Sequence, residues 1–334
     1  MKTILNSFLS HKDIGNFGLS NVLTNLETYF KKEGYRVINI NFFNSITLDK
    51  VIKSNIIHIH GCWSMVHLLI FLLGKFYNKK IFISPHGMLD PYSLDNKKIK
   101  KMIAWFFYQK MIIKNCDAII VNSVFEKNNL KRLIKKKNII VIFHGINANK
   151  KKFKTNKKIS FVYFSKIHPI KCPLELIIIW NKSKILSKYK LNLYGKIEDK
   201  KYFELMKPIL SKNNNITYKG ILNNKNKFNN LAKHDFLIHT SHTENFGLVI
   251  LESLASGLFV ICRDTLPWKI LEKKDIGKLI KIEINYLEKN IPILIKKIRS
   301  LKSSTQSKKI SNFLNENYDW KKIIKKYKYA YNDI

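Results

Sequence analysis

Ser241-His242-Thr243-Glu244-Asn245-Phe246-Gly247-Leu248-Val249-Ile250-Leu251-Glu252-Ser253-Leu254-Ala255-Ser256-Gly257 decides how this chain is read. An apolar run at 236–238 precedes it and suits a buried strand. Gly257 suits a helix C-cap, and a second apolar run follows at 259–262. The segment between is then a turn and a short helix. Glu244 falls near the helix mouth and Glu252 about two turns inside. The amides of Asn245, Phe246 and Gly247, with Leu248 next in the chain, are expected at that mouth. Unpaired helix-terminal amides and the helix dipole favour phosphate oxygens. A carboxylate beside such a site needs another partner, and sugar hydroxyls suit it. The plain alternative makes Glu244 an N-terminal helix charge, worth a few tenths of a kcal/mol, and Glu252 a solvated helix residue.

The chain has 334 residues, long enough for roughly two domains. A hydrophobic share of 46% argues for folded domains rather than disorder. The net charge is +38 and Lys supplies most of it. So basic a surface attracts nucleotide phosphates and anionic lipid heads. Basic runs at 97–101, 135–137 and 150–152 also raise nucleic acid as a partner. They are scattered, however, and neither zinc-finger spacing nor an aromatic ribonucleoprotein motif accompanies them, so no nucleic-acid role is expected. Cys62, Cys116, Cys172 and Cys262 form no close pair, which fits a reducing cytosol. Polar residues interrupt the N-terminus, so no signal peptide is expected. The longest apolar run, 68–73, is too short to span a bilayer.

Strand and helix patterns alternate through the first half. Strands are expected at 3–5, 36–40, 56–60, 81–83, 118–121 and 139–142. Helices are expected at 19–32, 66–76, 97–114 and 123–134, with Gly15 and Gly18 in the loop before the first. Such alternation predicts an α/β, doubly wound parallel sheet. Lys and Asn then dominate up to residue 158, which suits a linker, and the pattern restarts. Strands at 159–164, 190–194 and 216–218 alternate with helices at 174–179, 202–211 and 225–232. Two Rossmann-like halves facing across a cleft are the economical architecture, with ligands at the carboxyl ends of the strands. The segment 97–114 combines aromatic and aliphatic residues with six lysines. Apolar residues nearly encircle it, so it reads as a buried helix with snorkelling lysines. The basic lobe as a whole still suits an anionic membrane surface.

Five segments carry a likeness to known proteins. They are Ser84-Pro85-His86-Gly87-Met88-Leu89-Asp90-Pro91, the strand 56–61 with Trp63, Ser165-Lys166-Ile167-His168-Pro169-Ile170-Lys171, the stretch 244–257, and Thr265-Leu266-Pro267-Trp268. Across nearly the whole chain they resemble the large retaining glycosyltransferase family of GT-B fold, family 4. The segment from Pro85 to Pro91 is similar to its exopolysaccharide and O-antigen branch. The resemblance implies an N-terminal acceptor-side domain at 1–147, a linker at 148–158, a nucleotide-sugar domain at 159–315, and a closing helix at 316–334 that packs back on the first domain. It implies that Glu244 binds donor-sugar hydroxyls and Glu252 the ribose. Lys166 and Lys171 would neutralise the diphosphate, and His86 would lie near the sugar and the leaving oxygen. Gly15 and Gly18 would let the backbone approach the phosphates.

Two departures stand out. Lys166 replaces the family's usual Arg and loses its bidentate grip. Gly15 and Gly18 are separated where the family often has adjacent glycines. No Asp-x-Asp pair offers itself to a divalent cation, so neither metal nor cofactor is expected, and the lysines with the helix-mouth amides would stabilise the leaving diphosphate. His58 and His60 share a strand face, but no third zinc ligand is apparent. The expected activity is sugar transfer from a nucleotide sugar to a saccharide or lipid-linked acceptor, in the cytoplasm or at the inner face of the membrane. The rivals are a same-fold epimerase or phosphorylase, and a non-catalytic nucleotide-sugar-binding protein.

Overall fold

The computed structural model describes residues 2–8, 17–40, 48–135, 138–147, 151–223 and 225–333. The chain forms two units, one of Met1–Gly145 with Trp320–Ile334 and one of Ile146–Asp319.

The first unit holds strands β1 (Thr3–Phe8), β2 (Arg36–Ile40), β3 (Ile56–His60), β4 (Lys80–Ser84), β5 (Ala118–Val121) and β6 (Ile139–Val141). They pair in the order β2-β1-β3-β4-β5-β6, parallel throughout. β3 and β5 are buried along their whole length. Such complete burial follows from a sheet covered on both faces; β5 is apolar throughout, whereas β3 carries His58 and His60 inside. Strand order reverses between β1 and β3, because the chain steps out to β2 and then returns past β1.

The second unit holds β7 (Ser160–Phe164), β8 (Lys190–Tyr194), β9 (Ile216–Tyr218), β10 (Phe236–His239), β11 (Phe259–Arg263) and β12 (Gly277–Ile280). Its parallel order is β12-β11-β10-β7-β8-β9, so the reversal falls between β7 and β10. Open α/β sheets form ligand crevices at the carboxyl ends beside such a reversal. The loop after β7 carries Lys166 and Lys171, and the loop after β10 carries Glu244.

The last helix, Trp320–Asp333, belongs to the first unit. Trp320 stacks on Tyr29 and Tyr331 on Phe30, with ring centroids 5.6 and 5.5 Å apart, which fastens it to helix Phe17–Lys32. A side chain at Gly145 would meet the Trp320 ring at 2.4 Å, so only glycine lets the chain pass there.

Several expectations change. The first helix begins at Phe17, which puts Gly18 in its opening turn rather than in the preceding loop; Gly15 lies outside the described residues. The described part of the 148–158 segment is bound to the second unit. Phe153 is buried, its amide donates to Ser307 Oγ at 2.9 Å, and the Asn156 amide donates to Asp235 Oδ1 at 2.7 Å. β12 and the helices Ile284–Ser300 and Ser303–Asn317 were not expected. β12 is a four-residue edge strand, and the second helix buries few apolar side chains, so their sequence periodicity is weak. The final helix starts at Trp320, not at 316.

The segment at 97–114 differs most. It comprises helices Lys98–Ala104 and Lys110–Asn115 joined by a π-helical turn, Trp105–Gln109. Its buried residues are Gln109, Ile112 and Ile113, while Phe106 and Phe107 are 82% and 74% exposed. The encircling apolar residues do not all find the core, because only one side of this helix meets it.

His67 is buried in helix Met65–Phe76, and neither ring nitrogen has a partner among the described residues. Burial pushes its imidazole down from 6.5 to about 4. The unfolded chain therefore takes up the proton first, and stability is lost as pH falls from 6.5 toward 4. His67→Leu is expected to stabilise the fold by about 1–3 kcal/mol, the cost of a buried unpaired polar group. It should also flatten the acid decline, which thermal melts across that pH range would show.

Candidate functional site

The loops at the carboxyl ends of β7 and β10 are stitched together by one hydroxyl and one backbone amide. Thr240 Oγ1 donates to the Lys171 carbonyl at 2.8 Å, and the His242 amide donates to the Ile170 carbonyl at 3.0 Å. Ser241 Oγ closes its own loop on the Thr243 carbonyl at 2.7 Å. These bonds set Lys171 beside Glu244. Lys171 Nζ lies 2.6 Å from Glu244 Oε1, and His239 Nε2 lies 2.7 Å from the same oxygen. An ionised carboxylate only accepts, so His239 presents Nε2–H to it. Burial disfavours the charged Glu244, but the Lys171 charge and the His239 bond outweigh it and hold the carboxyl at about 2. Oε2 has no bonding partner among the described residues.

The helix that follows runs Leu248–Ala255, with Gly247 as its cap at φ 82°. Asn245, Phe246 and Gly247 therefore form the loop into the helix rather than its first turn, and the mouth amides begin at Leu248. Glu252 consequently sits one turn inside the helix, not two. A Cβ at Gly247 would lie 3.0 Å from Trp268 Nε1, so both its left-handed backbone and its neighbour demand glycine. Phe246 packs edge-on against Trp268 and Tyr318, which fixes the loop from behind.

Glu252 is buried rather than solvated, and its Oε1 accepts a hydrogen bond from Lys227, itself buried, from helix Lys227–Leu231. Burial raises the Glu252 carboxyl, and the Lys227 charge opposes that rise. Lys166 instead reaches Glu198, at 2.6 Å, in a pair more than a third exposed. An exposed pair of this kind contributes about 0–1 kcal/mol and exchanges readily.

In the first unit His86 follows β4 with φ 53°, in the left-handed region. Its Nδ1 lies 2.8 Å from Asn122 Oδ1 and its Nε2 lies 3.1 Å from His60 Nδ1. Asn122 donates through Nδ2 to the Ile142 carbonyl at 3.1 Å, so its Oδ1 accepts from His86 Nδ1–H. His86 Nε2 must then accept from His60. Burial pushes the His86 imidazole down to about 4, against the Asn122 bond, and drives His60 and His58 well below the usual range. Glu126 holds the frame: its two oxygens accept from the amides of Gly87 at 2.6 Å and Asn122 at 2.8 Å.

Two family models match the chain, Glycosyltransferase Family 4 over residues 27–150 and Glycosyl transferases group 1 over residues 145–281. HepE (Alr3699) from Anabaena, in complex with UDP-glucose, superposes with a TM-score of 0.77 at 14% identity, each chain covered in full. The apo form of WaaB, a lipopolysaccharide outer core galactosyltransferase, gives 0.65 at 15% identity over 98% of each chain. An uncharacterized 41.2 kDa protein in the cps region of Klebsiella pneumoniae is 25% identical over 276 residues, 77% of this chain and 74% of that protein. The chain belongs to the GT-B glycosyltransferases of the family 4 type.

In this glycosyltransferase the second unit brings Lys171 and Glu244 into contact, while Lys166 and Glu252 each have a separate partner. Sequence reading missed three supporting residues. His239 lies at the end of an apolar strand, Lys227 is one lysine in a chain with 61 Lys and Arg, and Glu126 sits in an ordinary helical first turn. One group among the described residues has the donor atoms of a metal site: Cys172, Glu175 and His242. Burial and the neighbouring Glu175 push the Cys172 thiol up to about 11, and Arg263 already lies 3.0 Å from Glu175. A protonated thiol and an occupied carboxylate are poor ligands. No helix among the described residues is long and apolar enough to cross a membrane.

Lys227→Met would leave the Glu252 carboxylate buried without its counter-charge. A loss of about 3–5 kcal/mol is expected, read as a lower urea midpoint. The double variant Lys227→Met with Glu252→Leu should recover most of it.

Proposed function

We propose that this glycosyltransferase moves one sugar from a nucleotide-sugar donor to a saccharide or lipid-linked acceptor in surface polysaccharide assembly, with retention of anomeric configuration and without a metal ion. The observation that carries the reading is the Glu244 carboxylate, clamped through Oε1 by Lys171 and His239 at the sheet reversal. Its second oxygen remains for a sugar hydroxyl. The Lys171 ammonium has three donors and uses one on Glu244, so it can hold a phosphate oxygen as well. Lys166 can leave its exposed pair with Glu198 for the diphosphate at small cost. The amides from Gly247 and Leu248 onward offer further donors to it. Preorganised cations and amides of this kind stabilise the charge that grows on a departing diphosphate, the work a divalent ion does elsewhere. Glu252 would bind the ribose hydroxyls while Lys227 keeps it ionised.

His86, in the first unit, is the candidate catalytic group for the donor sugar and the leaving oxygen. Both its nitrogens are bonded within the first unit, so it must release His60 or Asn122 to touch a sugar. The surface-polysaccharide assignment draws on the cps region of the Klebsiella relative and on the lipopolysaccharide enzyme WaaB. The UDP-glucose complex of HepE makes UDP-sugars the first donors to try. An acceptor made in the cytoplasm or displayed on the inner membrane face would suit such an enzyme.

A thermal-shift screen with UDP-, GDP- and ADP-sugars should show stabilisation by one class. With that donor and a polysaccharide-precursor acceptor, Glu244→Ala is expected to slow transfer at least about tenfold, ~1.4 kcal/mol, and chelation should leave the rate unchanged. Unaltered transfer by Glu244→Ala would sink the assignment. Sugar isomerisation without acceptor would mark an epimerase instead.

A further inference from the structure

The helix built from Lys98–Ala104, Trp105–Gln109 and Lys110–Asn115 is apolar on its outward side as well as on its inward side. Ile112 and Ile113 enter the core of the first unit, and Trp105 and Tyr108 pack against it. The opposite side ought to be polar on a helix that simply faces water. Instead Ile99, Met102, Ile103, Phe106 and Phe107 are all more than half exposed. They recur at three- and four-residue intervals, so they form one outward stripe. The two phenyl rings meet edge to face at 5.5 Å. Lysines at 97, 98, 100, 110 and 114 border the stripe, and no acidic residue occurs from 96 to 116.

We infer that this stripe is a docking surface for an anionic lipid bilayer, on which the helix lies in the interface plane. Outward aromatic and aliphatic side chains enter the acyl boundary, and the bordering lysines meet the headgroup phosphates. The charge selects this occupant. A symmetric second copy would set lysine against lysine across the interface. Nucleic acid would use the lysines but leave Ile99, Met102 and Ile103 without a counterpart.

The helix is also wired to the carboxyl ends of β3 and β4. Gln109 Oε1 accepts the Trp63 amide at 2.8 Å, and Lys101 Nζ lies over the Trp63 ring at 5.9 Å while donating to the Ser93 carbonyl. Trp63 follows the His60–Gly61 strand end, and Met88 Sδ accepts the Cys62 amide at 3.2 Å. Docking therefore sets the edge that carries His60 and His86 at a fixed position relative to the bilayer, where a membrane-borne acceptor is presented.

The test reads binding and does not depend on which sugar is transferred. The full chain should float with equimolar phosphatidylglycerol–phosphatidylcholine vesicles and not with pure phosphatidylcholine, and added salt should weaken the attachment. Phe106→Ser with Phe107→Ser should weaken it at least about tenfold, as should Lys97→Glu, Lys98→Glu and Lys100→Glu together. Leu205→Ser, at an apolar residue of the second unit that is also more than half exposed, should leave binding intact. Unchanged melting temperatures in all variants would tie the loss to the surface. No attachment to anionic vesicles, attachment that survives both helix variants, or a dimer or polynucleotide complex that those variants abolish in its place would overturn the inference.

Discussion

Two donors converge on a single carboxylate oxygen, Glu244 Oε1, in a place too buried to tolerate a bare charge. Much of the second unit follows from that demand. Lys171 can reach the oxygen only because the loop after β7 is bonded to the loop after β10 through Thr240 and His242. Those loops are neighbours only because the strand order reverses between β7 and β10. His239 supplies the second donor because it is the last residue of β10, one step before the chain turns out of the sheet. Phe246, Trp268 and Tyr318 then hold the turn from behind. A carboxylate fixed in this way stays ionised and keeps its position.

The first unit solves the opposite problem. Its strand ends present histidines rather than charges, and these are packed ring to ring. His58 and His60 are 3.9 Å apart between centroids, and His86 lies 5.4 Å from His60 and 5.6 Å from His144. Burial keeps the imidazoles neutral, so the chain from Asn122 through His86 to His60 runs in one donor direction. His58 bonds Tyr331 at 2.6 Å and Ser84 at 2.8 Å, which links the row to the C-terminal helix. Neutral, directional hydrogen bonding suits recognition of hydroxyl groups, whereas the cation-rich second unit suits phosphate.

The overall charge of +38 acts on a different scale. Most lysines are solvated or in exposed pairs that contribute little individually. Among the described residues, Lys171 and Lys227 are instead drawn inside, each against one carboxylate. A further set borders the outward apolar stripe of the 98–115 helix, where charge and hydrophobic surface act together. The same residue type thus does three jobs, and burial rather than identity separates them.

The sequence alone determined the alternation of strand and helix, the restart near 159, and the strand–turn–helix unit that carries Glu244 and Glu252. Those features are local: buried parallel strands require continuous apolar runs, and helix ends require glycine, so both leave a mark along the chain. The edge strand Gly277–Ile280 and the helix Ser303–Asn317 left little mark, because neither buries a full face. Only the tertiary structure decided the partners. Lys227 acts across 25 residues of chain, Glu126 acts through loop amides, and His239 reaches Glu244 only because the turn after β10 folds back on the strand end, so nothing in their own neighbourhoods sets them apart. It also decided that Phe106 and Phe107 point outward, because a helix ringed with apolar residues can bury only the side its neighbours touch.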